Sequence, residues 1–433
     1  MLNHVFAALI LVGTLTAAFS GSMEAVTGAG IERAKAATTL AFGLVGQMAL
    51  WLGFMQVLEV AGVMRGIARA VRPVMSRLFP EIPGDHPALS AMVLNVVANM
   101  LGLGNAATPF GLKAMVELDR LNPRPGVATN AMVLFLAINT SGVAVLPLGV
   151  IATRAQLGAE DVAGIMVPSM LATFCSTVVA IAVAKLLAGR PTFAPERFPT
   201  SERPESAPIA GLEAAEAEAA KTRPISRVGV AVAAVVAGAL AVALVRQVVA
   251  RSAELPPLEV FKEVSSFWLL PLLMVTIVLV GLVRSVAVYE AFVEGAKAGF
   301  RVAVTLIPYL VAILVAIGIF RASGALDGLL SVLGPVTRQV GFPPELLPMA
   351  LVRPLSGSGA FGVMTETMQT YGPDSFVGFA VSVMNGSTET TFYVLAVYCG
   401  AVGVRAVRHA LVACLAADLV GALTAVAFAR LFH

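Results

Sequence analysis

Arg353 and Glu389 are ionisable residues set in apolar surroundings, and each belongs to a run that a plain helix cannot accommodate. The first run reads Arg353-Pro354-Leu355-Ser356-Gly357-Ser358-Gly359. Proline and glycine at this density interrupt a helix. A helix broken inside a membrane leaves N–H and C=O groups that must face protein, water or a ligand. The half-helix starting after the break offers free N–H groups and a partial positive charge. With Arg353 beside it, that end suits an anionic or strongly polar group. A structural kink with close helix packing is the other reading of the same small residues. The second run is Asn385-Gly386-Ser387-Thr388-Glu389. A carboxylate deep in an apolar segment is costly, so Glu389 is a functional candidate by default. It either pairs with Arg353 or holds a proton or coupling ion, and Asp418, in the last apolar stretch, could serve either purpose. Asn385 and Glu389, four apart, share a helical face.

A quieter set lies earlier in the chain: Asn95, Asn99, Gly102, Gly104, Asn105, Thr108 and Pro109, followed by Asn139, Thr140 and Ser141. Asn95 and Asn99 also share a face. Buried amides need partners, supplied either by neighbouring helices or by a solute. Asn139-Thr140-Ser141 takes the place that Asn385, Ser387 and Thr388 hold later, but without a carboxylate. The later half is therefore expected to handle any charged part of a ligand, with Arg353 and Ser356–Gly359 for an anion and Glu389 and Asp418 for a cation or proton.

These residues need elements to hold them, and composition says which kind. The chain has 433 residues, 58% apolar and 13% charged, with a mean hydropathy of +0.88. An average soluble domain is about a quarter charged. The class is a polytopic all-α membrane protein, with the lipid bilayer as its first partner. A net charge of +3 gives no sign of nucleic-acid binding. Three cysteines and four histidines stand too far apart for a metal site, and no cofactor is expected. HExxH and Walker A sequences are absent. Gly357 to Gly362 spells GxGxxG, which means dinucleotide binding only after a strand in a βαβ unit. A hydrolase built on Ser356 or Ser358 has only His409 as a conceivable partner, so the protein is not read as an enzyme.

Charge-free stretches at 1–23, 36–58, 86–112, 125–153, 162–184, 228–245, 264–283 and 302–320 give eight candidate spans. Three more, near 343–368, 376–400 and 405–430, carry isolated charges. With ~20 apolar residues needed to cross, this predicts about eleven membrane segments. Residues 188–227 hold six prolines, six basic residues and six glutamates, and read as a solvated linker with at most a short helix around Leu212–Ala220. They divide the chain into membrane halves 1–187 and 228–433, the second beginning with an extra span at 228–250. The linker's basic residues place it on the cytoplasmic side. If every segment crosses, the arginines at 65, 69, 72 and 77 fall on the opposite side. That stretch is then an amphipathic surface helix, or one segment is a re-entrant hairpin.

The halves resemble each other. Glu32 and Glu294, Gly62 and Gly324, and Pro73 and Pro335 all stand 262 apart. Each half then has a proline-marked break at Ile82-Pro83 or Phe342-Pro343, a glycine-rich stretch, and an Asn-led polar run. Internal duplication marks many transporters, with the site at the repeat interface. The repeats are parallel or inverted according to the crossing count.

At Phe79 to Ala88, Gly102 to Pro109 and Asn139-Thr140 the first half resembles the spore maturation protein A family. At Ile307 to Ala312, Arg353 to Gly359, Tyr371 to Phe376 and Gly386 to Tyr393 the second half resembles the spore maturation protein B family. Both families are grouped with nucleoside-recognition, or Gate, domains. The resemblance implies a Gate-type, transporter-like fold, each half with a broken helix, and a link to spore cortex maturation. The two proteins are normally separate chains, and their fusion here implies a one-to-one unit. The expected function is binding or moving a small polar, anionic solute between two Gate-type repeats in a bacterial inner membrane. The alternatives are a non-transporting scaffold for envelope or cortex maturation, or a lipid-handling protein. A homo-oligomer remains open.

Overall fold

A computed structural model describes residues 2–101, 104–142, 145–201 and 224–433, together with linker positions 209, 212, 213 and 216. Side chains are described except at 2–5, 104–106, 302, 303 and 306. Among the described residues the structure is helical, with an isolated bridge between Val127 and Ala406. Helices α1 (Leu2–Ser20), α2 (Met23–Val60) and α3 (Val63–Leu78) open the chain, followed by α4 (Pro87–Met100) and α5 (Gly104–Arg120). Then come α6 (Asn130–Ser141), α7 (Leu148–Gln156) and α8 (Met166–Ala188). Beyond the linker lie α9 (Arg227–Ser252), α10 (Pro257–Phe267), α11 (Leu269–Val283), α12 (Val288–Ala322) and α13 (Ala325–Gln339). The chain ends with α14 (Leu347–Val352), α15 (Gly357–Tyr371), α16 (Phe376–Ser387), α17 (Thr391–Ala401) and α18 (Ala410–Phe432).

Helix falls on every one of the eleven stretches, but length divides them. α2, α8, α9 and α18 are long and apolar enough to cross a membrane. Counting the bent pairs α10–α11 (49°) and Ile307–Ala322 of α12 with α13 (78°) as one span each raises the number to six among the described residues. Of the five stretches that fall short, α1 is continuous but too short as described, and the other four have a local cause. Four stretches are interrupted: between Met100 and Gly104, Ser141 and Leu148, Val352 and Gly357, and Ser387 and Thr391. Their pieces fall short of the ~20 residues that a crossing needs.

The central helix pair is α2 and α12, which run antiparallel in intimate contact. Gly53 faces Phe292, Gly295 faces Leu52 and Gln56, Gly299 lies on Ala49, and Gly318 lies on Arg33. A Cβ at Gly299 would stand 2.6 Å from backbone atoms of Met48 and Ala49. Small residues let membrane helices approach backbone to backbone. Gly299→Leu is expected to cost about 1–3 kcal/mol by overpacking, read as a lower apparent melting temperature in detergent. An unchanged melting temperature would mean that the pair slides apart freely.

α4 and α5 form a hairpin. The Asn95 amide of α4 donates to the Ala107 carbonyl of α5 at 2.7 Å and to the Tyr398 hydroxyl of α17 at 3.2 Å. α6 and α16 are both 12 residues long and both start at a hydroxyl cap: Thr129 accepts from Met132 N–H, and Ser375 from Gly378 N–H. Two arginines staple the ends of the molecule. Arg154, fully buried at the end of α7, donates to the Pro373 carbonyl (2.6 Å), the Asp161 carbonyl (2.7 Å) and Asp374 (2.9 Å). Arg408, before α18, donates to the Ala128 carbonyl (3.0 Å), Asn130 (2.9 Å) and the Phe193 carbonyl (2.7 Å). Since α6 begins beside Arg408 and α7 ends at Arg154, the staples lie at opposite ends.

The linker leaves and rejoins the fold at the Arg408 end. Phe193 packs on His409 with ring centroids 5.6 Å apart, Ser201 N–H donates to the Pro125 carbonyl at 3.0 Å, and Glu216 pairs with Lys113 of α5. At its far side Ser226 N–H donates to the Val283 carbonyl at 2.8 Å. α3 borders α9 and α11 near that point and borders the end of α8 at Phe79. The arginine-rich stretch and the linker therefore share one end. α3 is amphipathic, with Met64 and Met75 buried and Arg69, Arg72 and Arg77 exposed, and α5 packs back along α4.

Candidate functional site

The four interruptions meet. Val145 N–H, after the α6 break, donates to the Met100 carbonyl at the α4 break (3.3 Å). Phe392 N–H, after the α16 break, donates to the Pro354 carbonyl at the α14 break (3.0 Å). Glu389 N–H donates to the Thr140 carbonyl (2.8 Å), joining one half to the other. Helix ends of both signs thus converge: α4, α6, α14 and α16 end there, and α5, α7, α15 and α17 begin there.

In the earlier half Asn99 donates to the Asn139 side-chain oxygen at 3.1 Å, and the Asn139 amide donates back to the Phe135 carbonyl at 3.0 Å. Thr140 and Ser141 are fully buried, and both hydroxyls bond the Ala137 carbonyl of their own helix. Thr108 is half-buried in α5. Gly104 opens α5 with Asn105 next to it, and the Asn105 side chain is outside the described atoms. Gly102 lies outside the described residues.

In the later half Arg353 is 9% exposed, and its Nη2 stands 3.9 Å from Glu389. The Arg353 Nε is buried with no hydrogen-bond partner. Ser356 caps α15, its hydroxyl accepting from Gly359 N–H at 3.0 Å with Ser358 3.4 Å away. Gly357 lies against the Thr390 hydroxyl, where a Cβ would come within 3.0 Å. The Ser387 hydroxyl bonds the Met384 carbonyl at 2.9 Å, and buried Thr388 packs its methyl on Gly421. Glu389 lies past the end of α16, where the chain is extended at Thr388, so it shares no helical face with Asn385, and its side chain is 54% exposed rather than deeply buried. Asp418 is buried and accepts from the Thr391 hydroxyl at 2.7 Å, while its second oxygen has no partner. The Asn385 side-chain oxygen is likewise buried and unpartnered.

Several hydroxyls of the polar runs are therefore spent on backbone, in Thr140, Ser141, Ser356 and Ser387. The groups left over are Arg353 Nε, the Asn385 oxygen and one Asp418 oxygen. Buried polar atoms ordinarily find partners, and these three stand at the junction without one, as does the Ser169 hydroxyl against Gly386.

One element escaped the sequence reading. α8 carries Ser169, Thr173, Ser176 and Thr177, all buried. Thr173 donates to the Ser141 (2.8 Å) and Gly142 (2.5 Å) carbonyls, Thr177 to Ser141 (3.2 Å), and Ser176 to the Ala417 carbonyl of α18 (2.9 Å). Thr173 and Thr177 satisfy carbonyls freed at the α6 break. Ser169 sits against Gly386 and has no partner. The signal was a polar stripe at i, i+4, i+7 and i+8 within an otherwise apolar span.

Helical segments of membrane length, interrupted to make a polar junction, define a multi-pass helical membrane protein. The Gate family model, described as nucleoside recognition, matches residues 41–190 and 303–405, and the chain belongs to that family. It is similar to spore maturation protein B of Bacillus subtilis (strain 168), 48% identical over 161 residues, covering 37% of this chain and 90% of that protein. It is also similar to spore maturation protein A of the same organism, 40% identical over 183 residues, covering 42% of this chain and 93% of that protein.

Proposed function

We propose that this Gate-family protein is a membrane transporter binding a small polar, anionic solute at the four-break junction. The observation that carries the reading is the convergence of broken helices from both halves around unpartnered Arg353, Asn385 and Asp418 atoms. Arg353 with the Ser356–Gly359 start of α15 holds the anion. Asn99, Asn105, Asn139 and Asn385 hydrogen-bond the rest, and Glu389 and Asp418 take a cation or proton. A scaffold would have its polar groups paired among themselves, which the three orphaned atoms disfavour.

The layout that goes with this reading has nine crossings and two re-entrant hairpins, making eleven segments. α4–α5 and α14–α15 double back. α6–α7 and α16–α17 cross as broken helices. The halves 1–187, like spore maturation protein A, and 228–433, like spore maturation protein B, are inverted repeats joined by 188–227, with α9 as the extra span. Support comes from α2 and α12. The 262-residue offset carries the Arg33–Gly318 contact onto the Gly295–Gln56 contact, as a two-fold axis across an antiparallel pair requires. The arginines of α3 and the linker share one end, which by the positive-inside rule supports a cytoplasmic side there, in an inner membrane.

The test is a thermal-shift screen in detergent with nucleosides, aromatic dicarboxylates, sugar phosphates and monovalent or divalent cations. A solute that binds the folded state raises the melting temperature by mass action. The expected result is a shift for one anionic class, with cation or pH dependence that Glu389→Gln abolishes while solute affinity survives. No shift across the panel overturns solute binding and favours the scaffold.

A further inference from the structure

α3 carries a row of arginines away from the four-break junction. Between Glu59 and Glu81 the chain holds four arginines and no acidic residue. Arg65, Arg69 and Arg72 fall at i, i+4 and i+7, on one side of the helix. They line a cleft of about 240 Å³ against α4, with Ser90 beside them and Val93 and Leu94 as its apolar floor. Arg69 and Arg72 are exposed, and Arg72 is anchored to the Gly84 carbonyl at 2.8 Å. Asp85, fully exposed, stands 3.8 Å from Arg72. Arg65 already has a partner, so the inference rests on the other two.

The counterpart in the other half supplies a control. α13 follows α12 through Gly324, as α3 follows α2 through Gly62, both glycines having positive φ (80° and 72°). α13 also has its proline at the matching place. Yet it carries one acid, Asp327, and one base, Arg338. An amphipathic turn-back helix is thus common to both halves, whereas the arginine row is confined to the α3 end. Packing at the bend therefore does not demand the arginines. On its other flank α3 borders an apolar groove of about 510 Å³ formed with α9 and α11, with Arg284 at its edge. Basic head and apolar floor together match one ligand chemistry.

We propose that the α3–α4 cleft binds an anionic phospholipid, its phosphate held by Arg69 and Arg72 and an acyl chain lying along Val93 and Leu94. This rests on the membrane reading alone and not on the solute. The experiment titrates purified protein in mixed micelles with phosphatidylglycerol or phosphatidylcholine, reading melting temperature and lipid retained in native mass spectrometry. Phosphatidylglycerol is expected to bind and stabilise, and phosphatidylcholine is not. Arg69→Gln with Arg72→Gln should weaken the phosphatidylglycerol effect roughly thirtyfold, at about one arginine's surface contribution each. Arg69→Gln alone avoids the Gly84 anchor and should show part of that loss, which Arg69→Lys restores. Arg190→Gln with Arg197→Gln removes equal charge elsewhere and should change nothing. Equal loss in that control pair overturns the site in favour of general surface charge. Equal stabilisation by water-soluble glycerol phosphate overturns the lipid. Undiminished phosphatidylglycerol binding in the Arg69/Arg72 variants overturns the proposal altogether.

Discussion

Arg353→Ala is expected to weaken solute binding about a hundredfold while leaving the solute-free protein folded. A hydrogen bond to a charged group contributes ~1.5–3 kcal/mol, and each 1.4 kcal/mol is about tenfold in affinity. Arg353 offers such a bond from a buried Nε with nothing to receive it. Its Glu389 partner is 3.9 Å away and over half exposed, so the pair itself is discounted as a source of stability. Arg353→Lys keeps the charge but loses the planar fork and the Nε, and should retain about a tenth of the affinity. Solute titration by thermal shift or calorimetry separates the three proteins. Equal affinity in all of them would remove the anion site from this junction.

Arg154→Ala is the largest expected loss of stability, about 3 kcal/mol. Breaking a buried charged pair costs ~3–5 kcal/mol, and here the Pro373 and Asp161 carbonyls would also lose their donor. Asp374 is 39% exposed, so its share is discounted and the estimate sits at the lower end. The ring of Phe379 lies 5.4 Å from the guanidinium and loses its cation as well. Asp374→Asn keeps the shape and one acceptor, and should cost about 1 kcal/mol. Melting in detergent without solute checks both. Arg154→Ala melting with the wild type would show that the two halves do not depend on this staple.

The chemistry of the junction was legible where it broke a local rule. Pro354 with three glycines, and a carboxylate at 389, contradict an apolar helix, so the sequence marked the break and its charges. What it could not mark was the meeting of one break with another. The Glu389–Thr140 bond joins residues 249 apart through backbone atoms, and no side-chain pattern encodes it. Spacing put Asn95 and Asn99 on one face, yet Asn95 braces α5 and Tyr398 whereas Asn99 reaches Asn139. The hydroxyls of Thr140, Ser141 and Ser387 looked available and are consumed by their own helices. Nothing in the sequence singled out Arg154 or Arg408, because only the folded chain brings distant carbonyls around them. Hydropathy located the helical stretches, but a window of membrane length reads a hairpin and a crossing alike.

Residues 201 and 226 are both pinned to the body of the fold, one by Pro125 and the other by Val283, at the same end of the molecule. The two ends of this connection therefore have fixed positions, and Glu216 between them pairs with Lys113. Loop-closure entropy grows only with the logarithm of length, about 0.6 kcal/mol for each doubling. Insertions or shortening within that segment should therefore shift stability very little, so long as the span is bridged. A protease cut there should leave two fragments that remain together and melt as one.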